Sequence, residues 1–356
     1  MMYTSDQLIK FCGAIFRKIG CSEAQAEIAA KTLVSADLRG VDSHGVARLS
    51  GYVRLWEIGR VNTDPNIRIV HETPSTAVVD GDSGLGLVVG PSAMKTAIAK
   101  AANVGTGWVA VKNSNHFGIA GFHAMMALEK DMIGVAMTNA SPLVAPTFSI
   151  ERMLGTNPIA IAIPAGNQPP FVLDMATTTA ANGKLEILMR KGAEAPLGWI
   201  QDAEGTQITD AEGVKKGGAL LPLGGDREHS SNKGYGLSAM VDILTGVLSG
   251  ANYGPWVPPF VSYAEPSTDP VGDGIGHFFG AMRVDAFRPA NEFKKHMDQW
   301  IERFRSAKPI KGIERVLIPG DPERENEAIR KESGIPIVEQ VVDDLQALST
   351  RFSVPL

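Results

Sequence analysis

The sequence has few cysteines, no long apolar run and no excess of basic residues. Its two cysteines, Cys12 and Cys21, are not spaced as CxxC and follow no secretory signal, so we expect a reduced, cytoplasmic protein. Apolar stretches such as IGVAM and IAIAIP are far shorter than the roughly 20 residues of a membrane span. A net charge of −5 offers no basic surface for nucleic acid. The sequence therefore predicts a soluble protein with neither a membrane nor a nucleic-acid partner.

Three nucleotide and metal motifs are also missing. The glycine-rich stretches GDSGLGLVVG and VGDGIGHFFG do not contain GxGxxG, and EHSSNKGYGL lacks the spacing GxxxxGK[ST]. The histidines form no HExxH or comparable cluster, so we expect no metal site. His123 and His296 lie in helical patterns and are predicted to be structural. A Rossmann fingerprint and nucleoside-triphosphate hydrolysis are not supported.

Hydrophobic periodicity divides the chain into a helical unit and an α/β unit. Residues 1–65 show three helical patterns, and short β-branched runs alternate with helical ones over 66–287. Such alternation predicts an α/β sheet domain. Helical patterns return over 288–356, and we expect these helices to pack on the N-terminal ones. Segments 192–229 and 251–275 are rich in proline and glycine and are predicted to be long loops.

The stretch ADLRGVDSHGVARL, residues 36–49, places three polar side chains at a predicted helix start. If Ser43 caps a helix over 42–59, His44 lies in its first turn and Arg48 projects from the same face one turn later. A guanidinium binds a carboxylate bidentately, and an imidazole exchanges protons near neutral pH. The pattern suits a 2-oxo or 2-hydroxy acid, with Arg48 on the carboxylate, His44 on the C2 oxygen and Ser43 orienting the ring. A capped surface helix with an exposed histidine and arginine is the alternative.

Two further stretches place polar groups beside predicted strand ends. VAVKNSNHFGIAG puts His116 at a strand-to-helix turn, where α/β sheets bind ligands, although a histidine that only caps the turn fits equally well. FVLDMATTTAANGK ends a strand with Asp174, whose carboxylate either accepts ribose hydroxyls or caps a helix. EHSSNKGYGL outlines a phosphate cradle, with Asn232 and Lys233 at a predicted helix start.

Six segments together resemble the malate/L-lactate dehydrogenase family, which also includes ureidoglycolate and sulfolactate dehydrogenases and diketogulonate reductase. In order, they are ADLRGVDSHGVARL, NSNHFG, LGTNPIAIAIP, LDMATTTAANGK, NKGYGL and LIPGD. The resemblance spans nearly the whole chain. It implies an α/β fold with a non-Rossmann NAD(P)-binding sheet domain over 66–287, and a helical substrate and dimerisation domain over 1–65 with 288–356. It also implies a homodimer with active sites near the subunit interface.

The resemblance implies a role for each matching position. Ser43 and His44 form the proton relay, Arg48 and Thr156 contact the substrate, and His116 either contacts the cofactor or is itself the catalytic base. The implied cofactor contacts are His116, Phe117, Gly118, Ile119, Ala120, Asp174, Met175, Ala176, Asn232, Lys233, Pro319, Gly320 and Asp321. Many members have glutamate where this chain has Asp321, and the loop before Lys233 is long, so NAD is expected while NADP stays open.

The implied reaction is reversible hydride transfer between a nicotinamide cofactor and C2 of a small 2-hydroxy acid, with malate as the expected substrate. Lactate, sulfolactate, ureidoglycolate and cyclic imino acids such as piperideine-2-carboxylate are the alternatives, because they share the same carboxylate end. A non-redox lyase or isomerase and a non-catalytic carboxylate-binding protein are the rivals from other classes.

Overall fold

The computed structural model describes all 356 residues, apart from the side chains of residues 190 and 191. Helices cluster at both ends of the chain, and strands fill the middle. The helices are α1 Ser5–Lys18, α2 Glu23–Leu38, α3 Leu49–Glu57, α4 Gly86–Val104, α5 Ala120–Met125, α6 Asn182–Lys191, α7 Ser231–Asp242, α8 Ala290–Arg305, α9 Asp321–Ser333 and α10 Glu339–Phe352. This is the mixed α/β organisation that the sequence predicts.

Strands form one large sheet and two small ones. They are β1 Met2–Tyr3, β2 Arg68–Glu72, β3 Thr76–Asp80, β4 Thr106–Ser114, β5 Met132–Thr138, β6 Ile159–Ile163, β7 Phe171–Met175, β8 Ile200–Gln201, β9 Gln207–Ile208, β10 Ala219–Leu220, β11 Ile275–Arg283 and β12 Ile335–Pro336. The large sheet has the order β2-β3-β4-β11-β5-β6-β7. Only the β3–β4 pairing in it is parallel, and its other neighbours run antiparallel.

Local signals explain where the first helices begin. Thr4 and Ser22 each accept a hydrogen bond from the backbone three residues later, and Gln7 and Gln25 return one to the cap, so both helices start with a capping box. Gly105 ends α4 in the left-handed conformation, at φ +92°. The sequence alone predicts the Ser22 capping box, because a cap of this kind acts over a few residues.

Residues from both ends of the chain share one core. Leu8 and Leu33 from the N-terminal helices pack in the same cluster as Val341 and Leu345 of α10, and α9 contacts α2. Helix α8 lies elsewhere. Asp298 of α8 accepts hydrogen bonds from the backbone of residues 166–168, in the turn between β6 and β7. The predicted packing of C-terminal on N-terminal helices is therefore correct for α9 and α10 and wrong for α8.

Residues 182–221 form a small lobe with its own core. Leu185 of α6 packs with Ile200 and Leu220 of the short sheet β10-β8-β9, and Leu143 joins them from outside the lobe. The predicted long loop over 192–229 is thus partly structured, by strands too short to leave a periodic pattern. No helix among the described residues is long and apolar enough to cross a bilayer.

Candidate active site

The predicted helix start at Ser43 is instead a pair of 3₁₀ turns. They cover Asp42–His44 and Val46–Arg48, and α3 begins only at Leu49. Gly45 separates the two turns with a non-helical backbone, at φ −91° and ψ −142°, and only glycine fits there because a methyl group would overlap the Asp37 carboxyl group. That buried carboxyl accepts the Val46 N–H at 2.8 Å and anchors the turn to α2. We call residues 42–48 the catalytic turn.

The polar side chains of the catalytic turn meet as the sequence predicts, although the helix is absent. Ser43 Oγ lies 2.9 Å from His44 Nδ1, which is the expected orienting hydrogen bond. His116 arrives from the end of β4, and its ring stacks on His44 with 5.7 Å between centroids. The alternative of an unrelated surface histidine and arginine is therefore not supported, because three candidate side chains converge.

Tyr52 fixes the orientation of His116. Its hydroxyl lies 2.6 Å from His116 Nδ1, and the Gly118 N–H donates to the same nitrogen at 3.4 Å. A backbone N–H is only a donor, so Nδ1 accepts and the neutral ring carries its proton on Nε2. His116 is then placed to donate a hydrogen bond rather than to act as a base. Tyr52 lies one helical turn beyond Arg48, and this i+4 spacing could have identified it.

Burial keeps both rings neutral. Burial and the neighbouring Arg48 charge lower the pKa of His44 to about 4. Burial and the nearby His44 and Arg48 lower the pKa of His116 well below its usual value. His44 is therefore an available proton acceptor at neutral pH.

The Arg48 guanidinium group is not free to bind a carboxylate in the way that the sequence suggests. Its Nε donates to the Ser43 carbonyl oxygen at 2.6 Å. Nη1 and Nη2 donate to the two carboxylate oxygens of Glu186 on α6, at 3.4 and 3.0 Å. Glu186 is 138 positions away in sequence, and no local pattern could have identified it.

A groove of about 380 Å³ opens beside the catalytic turn. It brings together many of the residues singled out from the sequence. Its lining includes Ser43, His44, Gly118, Ile119, Ala120, Thr156, Asp174, Met175 and Ala176, with Thr178, Lys184 and Glu323. Asp174 opens into the groove and accepts the Gly121 N–H of α5 at 2.8 Å. Asp174 thus faces the groove and also holds the N-terminus of α5 in place.

A larger cavity of about 630 Å³ lies on the other side of the catalytic turn. Ser43 lines both spaces. Arg48, Glu186 and Phe260 line the larger one. The catalytic turn therefore stands between two cavities, with Arg48 on the larger and His44 on the groove.

The remaining sequence candidates lie outside both cavity linings. Phe117 is fully buried beneath the groove, stacked on His123 and His277. Asn232 and Lys233 are exposed at the start of α7. Of the two histidines predicted to be structural, His123 is fully buried and its Nε2 donates a hydrogen bond to the Phe117 carbonyl oxygen at 2.9 Å, and His296 lies beside Arg288 on the surface.

The segment Pro319–Gly320–Asp321 supports the groove from behind. The Val172 N–H, on a residue that lines the groove, donates to the Pro319 carbonyl oxygen at 3.1 Å. The Asp321 carboxylate is held by Arg305 at 3.0 Å and by Arg324 at 2.5 Å. Against the effect of burial, the Ile318 N–H, which donates to the carboxylate at 2.9 Å, and the two ion pairs together lower the pKa of Asp321. Because its oxygens are already occupied, Asp321 acts in this structure as a brace of the loop.

The groove contains both hydrogen-bond donors and acceptors suited to a dinucleotide. Threonine hydroxyls and the Lys184 ammonium group are suited to phosphates, and the Asp174 and Glu323 carboxylates are suited to ribose hydroxyls. No group of three or more metal-ligating side chains occurs in the described part of the chain.

Residues 3–346 match the family model described as malate/L-lactate dehydrogenase. The chain is 47% identical over 350 residues to a malate dehydrogenase of Pyrococcus horikoshii, covering 98% of this chain and 95% of that one. It is 40% identical over 340 residues to an L-sulfolactate dehydrogenase of Methanocaldococcus jannaschii, covering 96% and 94%. The solved malate dehydrogenase structure from Pyrococcus horikoshii superposes with a TM-score of 0.91, at 44% identity, over 100% of this chain and 96% of that one.

Fold, site and comparisons together define a class of protein: the chain is a dehydrogenase that acts on a small hydroxy acid. Within that class, it belongs to the malate/L-lactate dehydrogenase family.

Proposed function

We propose that this dehydrogenase interconverts malate and oxaloacetate with NAD as its cofactor. The observation that carries the proposal is the Ser43–His44 hydrogen bond at the boundary of the groove and the larger cavity. A bound nicotinamide dinucleotide supplies or accepts the hydride at C2 of the acid. The relative from Pyrococcus horikoshii named malate dehydrogenase, at 47% identity, supports the choice of malate.

His44 is the proposed acid–base residue. Its Nδ1 is engaged by Ser43, so Nε2 is the atom that exchanges a proton with the C2 oxygen. During oxidation the neutral ring accepts the hydroxyl proton, and during reduction it returns that proton to the forming alkoxide. His116 donates a hydrogen bond from Nε2, which helps to orient the reacting oxygen or the cofactor's amide. This division of roles favours His44 over His116 as the catalytic base.

Arg48 is the proposed carboxylate-binding residue, with Thr156 as a further substrate contact at the groove. The guanidinium supplies orientation rather than proton transfer, so its loss should raise KM more than it lowers kcat. The same carboxylate end occurs in lactate, sulfolactate and cyclic imino acids. The 40% identical relative named L-sulfolactate dehydrogenase makes sulfopyruvate the second candidate substrate, because it too carries an anionic group on C3.

The groove is the proposed cofactor site. Gly118, Ile119, Ala120, Asp174, Met175 and Ala176 would contact the dinucleotide directly, while His116 and Phe117 would support it from behind. Asn232, Lys233 and the segment 319–321 would complete the site from its rim. Glu323 and Asp174 place negative charge where a 2′-phosphate would be repelled, which supports NAD over NADP.

The division into domains is part of the same proposal. A sheet domain over 66–287 would hold NAD(P), and residues 1–65 with 288–356 would form the helical domain, with the exception of α8, which packs on the turn between β6 and β7. Antiparallel pairing of β4, β11, β5, β6 and β7 supports a non-Rossmann sheet, since Rossmann strands run parallel.

A second copy of the chain is the proposed partner. α7 and the π-helical turn after it expose five apolar side chains at helical spacing, which are Leu237, Met240, Ile243, Val247 and Leu248. A row of this kind on a monomer marks an interaction surface. The free, buried cysteines Cys12 and Cys21 support a cytoplasmic location for this homodimer.

The test is a panel of 2-oxo acids and a cyclic imino acid with NADH and NADPH, followed by nicotinamide absorbance. We expect oxaloacetate with NADH to have the highest kcat/KM. His44→Ala should lower kcat by about 10²- to 10⁴-fold, as for other general acids. Faster turnover of sulfopyruvate would change the substrate. An unchanged rate in the alanine variant would move the base to His116, and no NADH consumption at all would favour a lyase or a binding protein.

A further inference from the structure

The two terminal nitrogens of the Arg48 guanidinium group are already bound to a carboxylate of the chain itself. Nη1 and Nη2 donate to the two oxygens of Glu186, and Nε is taken by the Ser43 carbonyl oxygen. The Arg48 and Glu186 side chains are only 15% and 24% exposed, so water screens the pair weakly. A substrate carboxylate cannot form the same two-point contact while Glu186 stays in place.

Helix α6, which carries Glu186, is anchored mainly to the small lobe. Leu185 is fully buried in the core of that lobe. Towards the catalytic turn, α6 has the Arg48–Glu186 ion pair and a close backbone approach at Gly183, where a methyl group would overlap Ser43. The ion pair is therefore a principal link between the lobe and the catalytic turn.

α6 also forms a wall between the two cavities. Lys184 faces the groove, whereas Gly183, Glu186 and Ile187 line the larger cavity. A shift of α6 away from the catalytic turn would widen the connection between the cavities at Ser43.

We infer that Glu186 is a built-in competitor for the substrate's carboxylate. In the unliganded enzyme it occupies Arg48 and holds α6 against the catalytic turn. The carboxylate of an incoming acid binds the Arg48 guanidinium group. Repulsion between this carboxylate and Glu186 then moves Glu186 and α6 away from the catalytic turn. Glu186 thereby lowers the affinity for every acid and couples acid binding to movement of the small lobe. The inference rests on the proposed function, because it requires Arg48 to bind the substrate.

The first experiment removes the competing charge and keeps the shape. Glu186→Gln is compared with wild type and with Glu212→Gln, whose exposed glutamate lies on the same lobe and pairs with Lys216 rather than with Arg48. Binding of oxalate, a small acid without a ketone carbon to accept a hydride, is measured by calorimetry in the presence of NADH. We expect Glu186→Gln to bind oxalate about three- to tenfold more tightly, with KM for oxaloacetate falling in parallel. Glu212→Gln should match wild type.

The second experiment follows the lobe in the wild-type enzyme. Backbone amides of α6 should exchange hydrogen faster when oxalate is bound, because the tie to Arg48 is lost. Weaker or unchanged oxalate binding in Glu186→Gln would show that Glu186 supports Arg48 or is passive, and would overturn the inference. Slower exchange of α6 on binding oxalate would overturn it as well. If the wild type reduces oxaloacetate while these results fail, only the competitor role is wrong; if it reduces no 2-oxo acid, the proposed function itself fails.

Discussion

Replacing Asp37 by asparagine should stabilise the protein increasingly as the pH rises. Asp37 is 1% exposed, and burial raises its pKa from 3.8 to about 8. Between these values the folded chain keeps the proton while the unfolded chain releases it. Stability contributed by the wild-type carboxyl group is therefore lost as the pH rises through this window. Asparagine cannot titrate, so the variant escapes this loss.

The size of the effect follows from the proton count. One proton bound only by the folded state changes the free energy of unfolding by about 1.4 kcal/mol per pH unit. From pH 5 to pH 7, the Asp37→Asn variant should therefore gain about 2.7 kcal/mol relative to wild type. Guanidinium denaturation, followed by tryptophan fluorescence at fixed protein concentration, measures this difference.

Asp242→Asn provides an internal comparison. Burial raises the pKa of Asp242 to about 6, so its advantage over wild type should stop growing near pH 6. A constant difference between wild type and Asp37→Asn from pH 5 to pH 7 would mean that the folded protein holds Asp37 ionised. The inference that burial keeps Asp37 protonated at neutral pH would then be wrong. Asp37→Ala should also cost about 1–3 kcal/mol, because it leaves the Val46 N–H without a partner.

Three further substitutions test the site. Gly183→Ala would add a methyl group that overlaps Ser43. We expect a stability loss of about 1–3 kcal/mol in denaturation and a lower kcat in steady-state kinetics. Full activity would show that α6 moves freely. Tyr52→Phe removes the 2.6 Å bond to His116 and should lower kcat/KM about two- to tenfold, whereas an unchanged pH–rate profile would refute this positioning role. Glu323→Gln should raise kcat/KM with NADPH relative to NADH, and an unchanged ratio would place the 2′-hydroxyl elsewhere.

Elements defined by local signals were predictable from the sequence. The helix from Glu23 begins at the Ser22 capping box that the sequence shows. Apolar runs such as IAIAIP became the strands of the large sheet. Caps and hydrophobic periodicity act over a few residues, so one sequence suffices to detect them.

Features set by distant contacts were not predictable. The catalytic turn is two 3₁₀ turns separated by Gly45, where no side chain fits because Asp37, on the preceding helix, occupies the space. Glu186 meets Arg48 only after the sheet and the small lobe have formed. The sequence thus predicted that Ser43, His44 and Arg48 lie together, while the pairing of Arg48 with Glu186 required coordinates.

The Arg48–Glu186 pair can act on His44 through charge or through access to the site. In the unliganded protein, burial and the Arg48 cation hold the pKa of His44 at about 4, so the ring is neutral at neutral pH. A substrate carboxylate on Arg48 would offset part of that cation's effect only if it adds negative charge to the site. When the substrate displaces Glu186, one carboxylate replaces another at Arg48, so the net charge around the guanidinium group changes little. What changes is the position of α6, because a departing Glu186 also removes a wall from the cavity beside the catalytic turn. On this reasoning, access to the site rather than a shift in the pKa of His44 is what the Arg48–Glu186 pair regulates.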